Sequence, residues 1–236
     1  MSATGHDGRL RHPTPLPAIT IGDYLAAVAA RGPRPGEDHD ARGVRLTYAE
    51  LALDVERVAC GLLALGIEKG DRIVIWARHS TEWTLVALAT ARVGAVLVIL
   101  DGQWSTDQLL GALRQANPRL LAAGSSERLA SLQAARGELS QLGRLVTLDG
   151  LPCAGRDDLT WAELLVAGSA IDPARLTERE ATLHPDDPAS IEYEQLSGGE
   201  LQITTLTHRD YLAWQATTTR LGSDTPGLIT ETEEDR

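Results

Sequence analysis

Lysine, phenylalanine and the sulfur-containing residues are scarce or missing in this 236-residue chain. It has a single lysine, Lys69, one methionine, no phenylalanine and two cysteines. Cys60 and Cys153 lie far apart without CxxC spacing, so neither a disulfide framework nor a zinc site is predicted. Acidic residues outnumber basic ones by 33 to 22, a net charge of −11. Because an acidic chain repels phosphate backbones, nucleic acid is not an expected partner.

Long apolar segments are also missing. The longest apolar run, near residues 93–100, is far shorter than the roughly 20 residues that a membrane-spanning helix needs. Residues 1–18 are polar and proline-rich and lack the apolar core of a signal peptide. The sequence therefore predicts a cytoplasmic protein that does not contact membranes.

Apolar strands alternate with amphipathic helices along most of the chain. Strands that are apolar on both faces indicate a parallel sheet with helices on both sides. The predicted fold class is therefore α/β, with a doubly wound, mostly parallel sheet. The expected strands are 44–48, 72–77, 95–100, 119–124, 144–149, 190–194 and 203–207. The expected helices are 21–30, 48–65, 81–93, 105–116, 126–135, 160–166 and 209–221.

Local signals mark helix ends and the limits of the domain. Thr47 is followed three residues later by Glu50, which predicts a capping box, and Gly66 is placed to end the same helix. Residues 1–18 are expected to form a flexible lead-in, 19–222 one α/β domain and 223–236 an acidic tail.

Residues 186–210 read DDPASIEYEQLSGGELQITTLTHRD. They resemble the phosphate-binding region of the adenylate-forming superfamily, which includes acyl-CoA and aryl-CoA synthetases, luciferases and peptide-synthetase adenylation domains. Members of that family approach the loop with Asp-x-x-Ala-x-Ile-x-Tyr and leave it with Leu-Thr-His-Arg. The matching residues are Asp187, Ala189, Ile191 and Tyr193 before the loop, and Leu206, Thr207, His208 and Arg209 after it.

A longer segment carries the same resemblance. Residues 44–100, from VRLTYAEL through GLLALGIEKGDR to GAVLVIL, are similar to the opening of an acyl-CoA synthetase in order and spacing. The resemblance covers roughly residues 20–215 and implies the first lobe of the family's large domain. Full-length members continue with a second lobe and a mobile C-terminal domain. The resemblance therefore predicts a truncated relative of the family.

The loop itself departs from the family pattern Thr-Ser-Gly-Thr-Thr-Gly-x-Pro-Lys-Gly. Gln202 stands in place of the lysine, Leu196 and Ile203 in place of glycines, and Glu194 begins the loop. Loss of the lysine removes a charge-assisted contact worth about 1.5–3 kcal/mol. A carboxylate about 4 Å from a phosphate, at an effective dielectric near 20, adds repulsion of about 4 kcal/mol. The loop therefore predicts that ATP does not bind and that the protein uses no cofactor.

Candidate site residues cluster around this loop. Glu192 and Glu194 share a strand face and could act as a general acid/base pair, although an exposed strand end gives the same pattern. His208 could assist them as a partner, although such a histidine is more often structural. Ser197, Gly198 and Gly199 remain as a remnant phosphate loop, and no metal site is predicted.

Three functions are compatible with these residues. The first is a binding or regulatory module for an acyl or aryl molecule, an acyl carrier protein or a synthetase. The second is an enzyme of ATP-independent acid/base chemistry, such as a cyclase, dehydratase or isomerase in biosynthesis. The third is one half of a split ligase. In the family, this lobe packs its apolar face against the second lobe, so a chain without that lobe is expected to bury the face in a homodimer.

Overall fold

The computed structural model describes residues 18–31, 46–100, 104, 106–124, 143–150, 157–195 and 201–221. The predicted helix at 126–135, the lead-in before residue 18 and the tail at 223–236 lie outside these ranges. The described elements are α1 (Ile21–Ala29), α2 (Tyr48–Ala64), β1 (Arg72–Trp76), α3 (Thr81–Arg92), β2 (Val96–Ile99), α4 (Thr106–Ala116), β3 (Leu120–Ala123), β4 (Arg144–Thr147), β5 (Leu159–Thr160), α5 (Trp161–Gly168), α6 (Pro173–Glu180), β6 (Pro188–Gln195), β7 (Leu201–Thr207) and α7 (His208–Leu221).

The described strands form one sheet in the order β5-β4-β3-β1-β2-β6-β7. Neighbouring strands are parallel from β5 to β6, and β7 alone runs antiparallel to its neighbour β6. The strands lie first to one side of β1 and then to the other, as in a doubly wound sheet. The predicted α/β class with a mostly parallel sheet is confirmed.

Two apolar layers cover the two faces of the sheet. Alternate residues of β1 point to opposite faces, so Ile73 and Ile75 contact the layer built with α1, α2, α3 and α7, while Val74 and Trp76 contact the layer built with α4. These four side chains are at most 4% exposed. Burial on both faces explains why the strands read as continuous apolar runs.

Helix ends follow the signals in the sequence. The hydroxyl of Thr47 accepts a hydrogen bond from the backbone N–H of Glu50, whose carboxylate accepts one from the backbone N–H of Thr47 in return. The predicted capping box is thus confirmed, and the backbone hydrogen bond from Thr47 lowers the pKa of Glu50. Gly66 has a φ of +76° just beyond α2, a conformation that glycine adopts without strain.

Helix α6 was not among the predicted elements. It is eight residues long, and only Leu176 among them is buried, so it lacks an apolar periodicity. A local cap and tertiary contacts hold it: the carboxylate of Asp172 accepts the backbone N–H of Ala174, Glu180 forms an ion pair with Arg92, and Arg179 donates to the carbonyl of Val93 at 3.1 Å. Among the helices of the described ranges, none combines the length and the hydropathy of a membrane-spanning segment.

Candidate functional site

Strands β6 and β7 form a hairpin that encloses the altered loop. Their pairing runs from Pro188 opposite Thr207 to Gln195 opposite Leu201, so residues 196–200 connect the two strands. Since β6 is parallel to β2, the loop end of the hairpin lies at the carboxyl edge of the sheet. Ligands of open α/β sheets bind at this edge, which makes it the candidate site.

The approach to β6 is anchored by the single lysine of the sequence. Lys69 Nζ lies 2.7 Å from Asp187 Oδ2 and donates to the carbonyl of Thr182 at 2.9 Å. The same carboxylate oxygen accepts the backbone N–H of His184 at 2.7 Å. Burial acts to raise the pKa of Asp187, but these hydrogen bonds and the charge of Lys69 hold it below its usual value. Asp187 therefore stabilises the fold as a carboxylate.

His208 is fully buried at the start of α7, at the end of the hairpin that lies away from the loop. Its Nδ1 accepts a hydrogen bond from the backbone N–H of Ile21 at 3.3 Å, which ties α7 to the first turn of α1. Its Nε2 has no hydrogen-bond partner among the described residues. Burial lowers the pKa of His208 to about 4, against the opposing charges of Asp187 and Asp23. The ring is therefore neutral at pH 7.

The structure does not bring His208 together with Glu194. Glu194 pairs with Gln202 near the loop, whereas His208 follows Thr207, which pairs with Pro188 at the other end of the hairpin. Six residues of strand separate the two ends, on the order of 20 Å. The register of the hairpin thus holds the backbones of His208 and Glu194 apart, and a role for His208 as a partner of the glutamates stays a prediction.

The two glutamates lie on β6 as predicted. Glu192 pairs with Thr204 and sits beside Ile99 of β2, and its side chain is half-buried. The backbone of Glu194 continues the same strand, although its side chain lies outside the described part of the structure. Their role as an acid/base pair stays a prediction. The remnant loop residues Ser197, Gly198 and Gly199 lie outside the described residues.

The opposite face of β6 carries an aromatic pair. The rings of Tyr193 and Trp104 are 6.4 Å apart in an edge-to-face arrangement. Burial raises the pKa of the Tyr193 hydroxyl. Ile203 lies opposite Tyr193 on β7 and is 41% exposed. This part of the site is therefore apolar and uncharged.

Residues that match the loop's flanking motifs have structural contacts in this chain. Asp187 binds Lys69, Ala189 and Leu206 pack in one core layer, and Ile191 packs in the other. The role of Lys69 was missed in the sequence, because no local pattern indicates a partner so far along the chain. Within the hairpin, by contrast, neither strand contains a lysine or arginine.

Comparison with known proteins gives a consistent result. The model of the family described as AMP-binding enzymes matches residues 25–219. The acyl-CoA ligase sidI of Aspergillus fumigatus is 34% identical over 71% of this chain, and the mitochondrial medium-chain acyl-CoA ligase ACSF2 of Danio rerio is 28% identical over 83%. The chain spans 30% and 35% of the lengths of those two ligases.

Solved structures agree with the fold. The inhibitor-bound N-terminal domain of FACL13 from Mycobacterium tuberculosis superposes with a TM-score of 0.70 at 24% identity, covering 88% of this chain and 48% of that one. The anthranilate CoA ligase AuaEII, in complex with anthranoyl-AMP, gives 0.70 at 20% identity and covers 89% of this chain and 38% of its own.

Proposed function

The chain belongs to the family of AMP-binding enzymes, and from that premise we propose that it has lost ATP-dependent adenylation. It acts as a binding or regulatory module for an acyl or aryl molecule, a carrier protein or a synthetase. The observation that carries the proposal is the β6–β7 hairpin, in which Gln202 stands where the family has its phosphate-binding lysine.

The pattern of matches and replacements supports this reading. Asp187 and His208 match the family, and each has a contact that holds the fold together. The positions that would grip phosphate are the ones that differ, because Gln202 is uncharged and Glu194 is acidic. A chain that keeps the residues flanking the loop but lacks the positive charge of the family's lysine is suited to a role that does not require a triphosphate.

The backbone of the hairpin supports the same reading. Glu194, Gln195, Leu201, Gln202 and Ile203 all belong to the paired strands. In a paired strand, backbone N–H groups on the paired side donate to the neighbouring strand. A glycine-rich phosphate loop needs free N–H groups that wrap the anion, whereas strand pairing here engages the backbone up to Gln195 and again from Leu201.

Calorimetric titration with Mg-ATP tests the loss of nucleotide binding. The chain should give no saturable heat at millimolar nucleotide. A matched variant carries Glu194→Thr, Leu196→Gly, Gln202→Lys and Ile203→Gly. It should bind at least about a hundredfold more tightly, because it regains a charge-assisted contact and loses a repulsion.

Since the chain spans about a third of the two ligases, comparing two versions of the same chain isolates the effect of the loop. A dissociation constant below about 100 µM for the unmodified chain, roughly −5.5 kcal/mol, would contradict the proposal. If neither the unmodified chain nor the variant gives a saturable heat, residues beyond the loop decide nucleotide binding. That result would contradict the proposal that the loop replacements cause the loss of binding.

A second candidate function is ATP-independent acid/base catalysis by Glu192 and Glu194. The position of β6 favours it, because both residues lie at the carboxyl edge of the sheet, where α/β enzymes bind their substrates. Residues i and i+2 of a strand share a face, which is an arrangement that a general acid/base pair can use. The split-ligase alternative is disfavoured by the missing lysine at position 202.

A further inference from the structure

The two edges of the sheet differ in length and chemistry. Strand β5, which has two residues, forms one edge of the described sheet, and β7, which has seven, forms the other. Natural proteins protect long edge strands with charged residues, proline or bulges. β7 reads LQITTLT, without charge or proline, and its pairing with β6 is regular from Leu206 to Leu201. The strand β7 itself therefore carries no charge, proline or bulge of the kind that usually prevents pairing with another chain.

No described strand lies along the outer side of β7. Within the described ranges, β6 is the only strand that pairs with β7. Backbone N–H and C=O groups along the other side are a template for a further strand. Ile203 and Thr205 are both exposed and, two residues apart, lie on one face of the strand. At 41% exposure, Ile203 is one of three large apolar side chains exposed in the described part of the chain.

We propose that β7 pairs with β7 of a second copy of this chain, antiparallel about a two-fold axis, so that the two sheets become one. Residues that lie opposite each other in the two copies must point to the same face of the sheet. The two-fold axis therefore passes through a residue position, where the residue faces its own copy, and not between two residues. With Thr204 at the axis, all seven residues pair, and Ile203 of one copy lies opposite Thr205 of the other. The pairing depends on the strand edge and is independent of whether the loop binds ATP.

The composition of β7 favours a second copy as the partner. Pairing the strand with itself places no like charges opposite each other, because it contains none. It sets β-branched Ile203 beside β-branched Thr205, a combination that stabilises cross-strand contacts. The net charge of −11 per chain opposes association. Because salt screens that repulsion, the dimer should tighten as ionic strength rises.

Sedimentation velocity of the full chain between about 1 and 100 µM is the first measurement. The mass should rise with concentration from 25.3 kDa towards twice that value. A mass that stays at 25.3 kDa at every concentration and salt level overturns the proposal, because it means that the edge of β7 is covered within one chain or by a different partner.

Charge substitutions then locate the interface. A chain with Ile203→Lys and Thr205→Lys should be monomeric, as should one with Ile203→Glu and Thr205→Glu, because each places like charges opposite each other. Mixing the two should restore a dimer. The matched control carries Leu53→Lys and Val166→Lys, at the other exposed apolar residues, and should dimerise like the unmodified chain. A dimer that survives both β7 variants overturns the proposal.

Disulfide trapping tests the register. In a chain with Cys60→Ala and Cys153→Ala, Thr204→Cys brings two thiols face to face with Cα atoms about 4.5–5.5 Å apart, within disulfide range. The control, Gln202→Cys, leaves its two thiols roughly 14 Å apart along the strands. Oxidation should link the first variant into a dimer and leave the second as a monomer. Equal linkage, or linkage of the control alone, overturns the register.

Discussion

Acidification should destabilise this protein through His208 before most of its carboxylates titrate. The ring is fully buried, and its Nδ1 accepts the backbone N–H of Ile21. Burial lowers the pKa of His208 from an ordinary 6.5 to about 4. The unfolded chain therefore binds a proton near pH 6.5, while the folded chain resists it until about pH 4. The stability that neutral His208 contributes is complete above pH 6.5 and is lost as the pH falls from 6.5 to 4.

The size of the effect follows from the shift in pKa. At 1.36 kcal/mol for each pH unit, a shift of this size is worth about 3 kcal/mol over the whole window. Most of that, about 2 to 3 kcal/mol, should be lost between pH 7.5 and pH 4.5. A protein of ordinary stability, about 5–15 kcal/mol, would register the change clearly.

Urea unfolding of the His208→Asn variant and of the unmodified chain measures this pH-dependent loss of stability. The side-chain oxygen of asparagine can accept the N–H of Ile21 but does not titrate, so the variant should lose less stability on acidification. The difference between the two free energies of unfolding should shift by about 2 to 3 kcal/mol from pH 7.5 to 4.5. His184→Asn is the control, because the side chain of His184 is 67% exposed, and it should track the unmodified chain. A shift below about 0.5 kcal/mol for His208→Asn would refute the reasoning.

Two further predictions concern the anchor and the candidate acids. Lys69→Met should lower the free energy of unfolding by about 1 kcal/mol, because Asp187 loses a partly exposed ion pair. Melting temperatures of the two chains that differ by less than about 1 °C would count against a stabilising role of the Lys69–Asp187 pair. If an ATP-independent activity is found, Glu192→Gln or Glu194→Gln should lower turnover by about 10²–10⁴ without loss of folding. Rates within about threefold for both variants, under ~0.7 kcal/mol, would remove the carboxylates from the chemistry.

Several local features of the fold were predictable to within a residue or two, although the strand expected at 44–48 is not among the described strands and Tyr48 begins α2. Strand β1 and helix α3 were expected at 72–77 and 81–93 and lie at Arg72–Trp76 and Thr81–Arg92. Their periodicity and the capping box of Thr47 depend on residues within one or two helical turns. Helix α6 was missed because only Leu176 among its residues is buried, which gives no apolar periodicity, although Asp172 and Pro173 mark its start.

The candidate site was predictable in composition but not in geometry. The replacement of the family's lysine by Gln202 is visible in the sequence alone. The separation of His208 from Glu194 is not, because it depends on the antiparallel register of β6 and β7. A histidine fourteen residues from a glutamate can lie beside it or at the far end of a hairpin, and only strand pairing distinguishes the two.

By itself, then, the sequence determined the α/β class, the order of most elements and the family, because periodicity, helix caps and motifs are local properties of the chain. Tertiary structure alone decided that Lys69 holds Asp187, that His208 is a buried neutral acceptor, and that β7 is a long edge without charge. Each of these depends on residues distant in sequence that meet only when the sheet assembles and its helices pack.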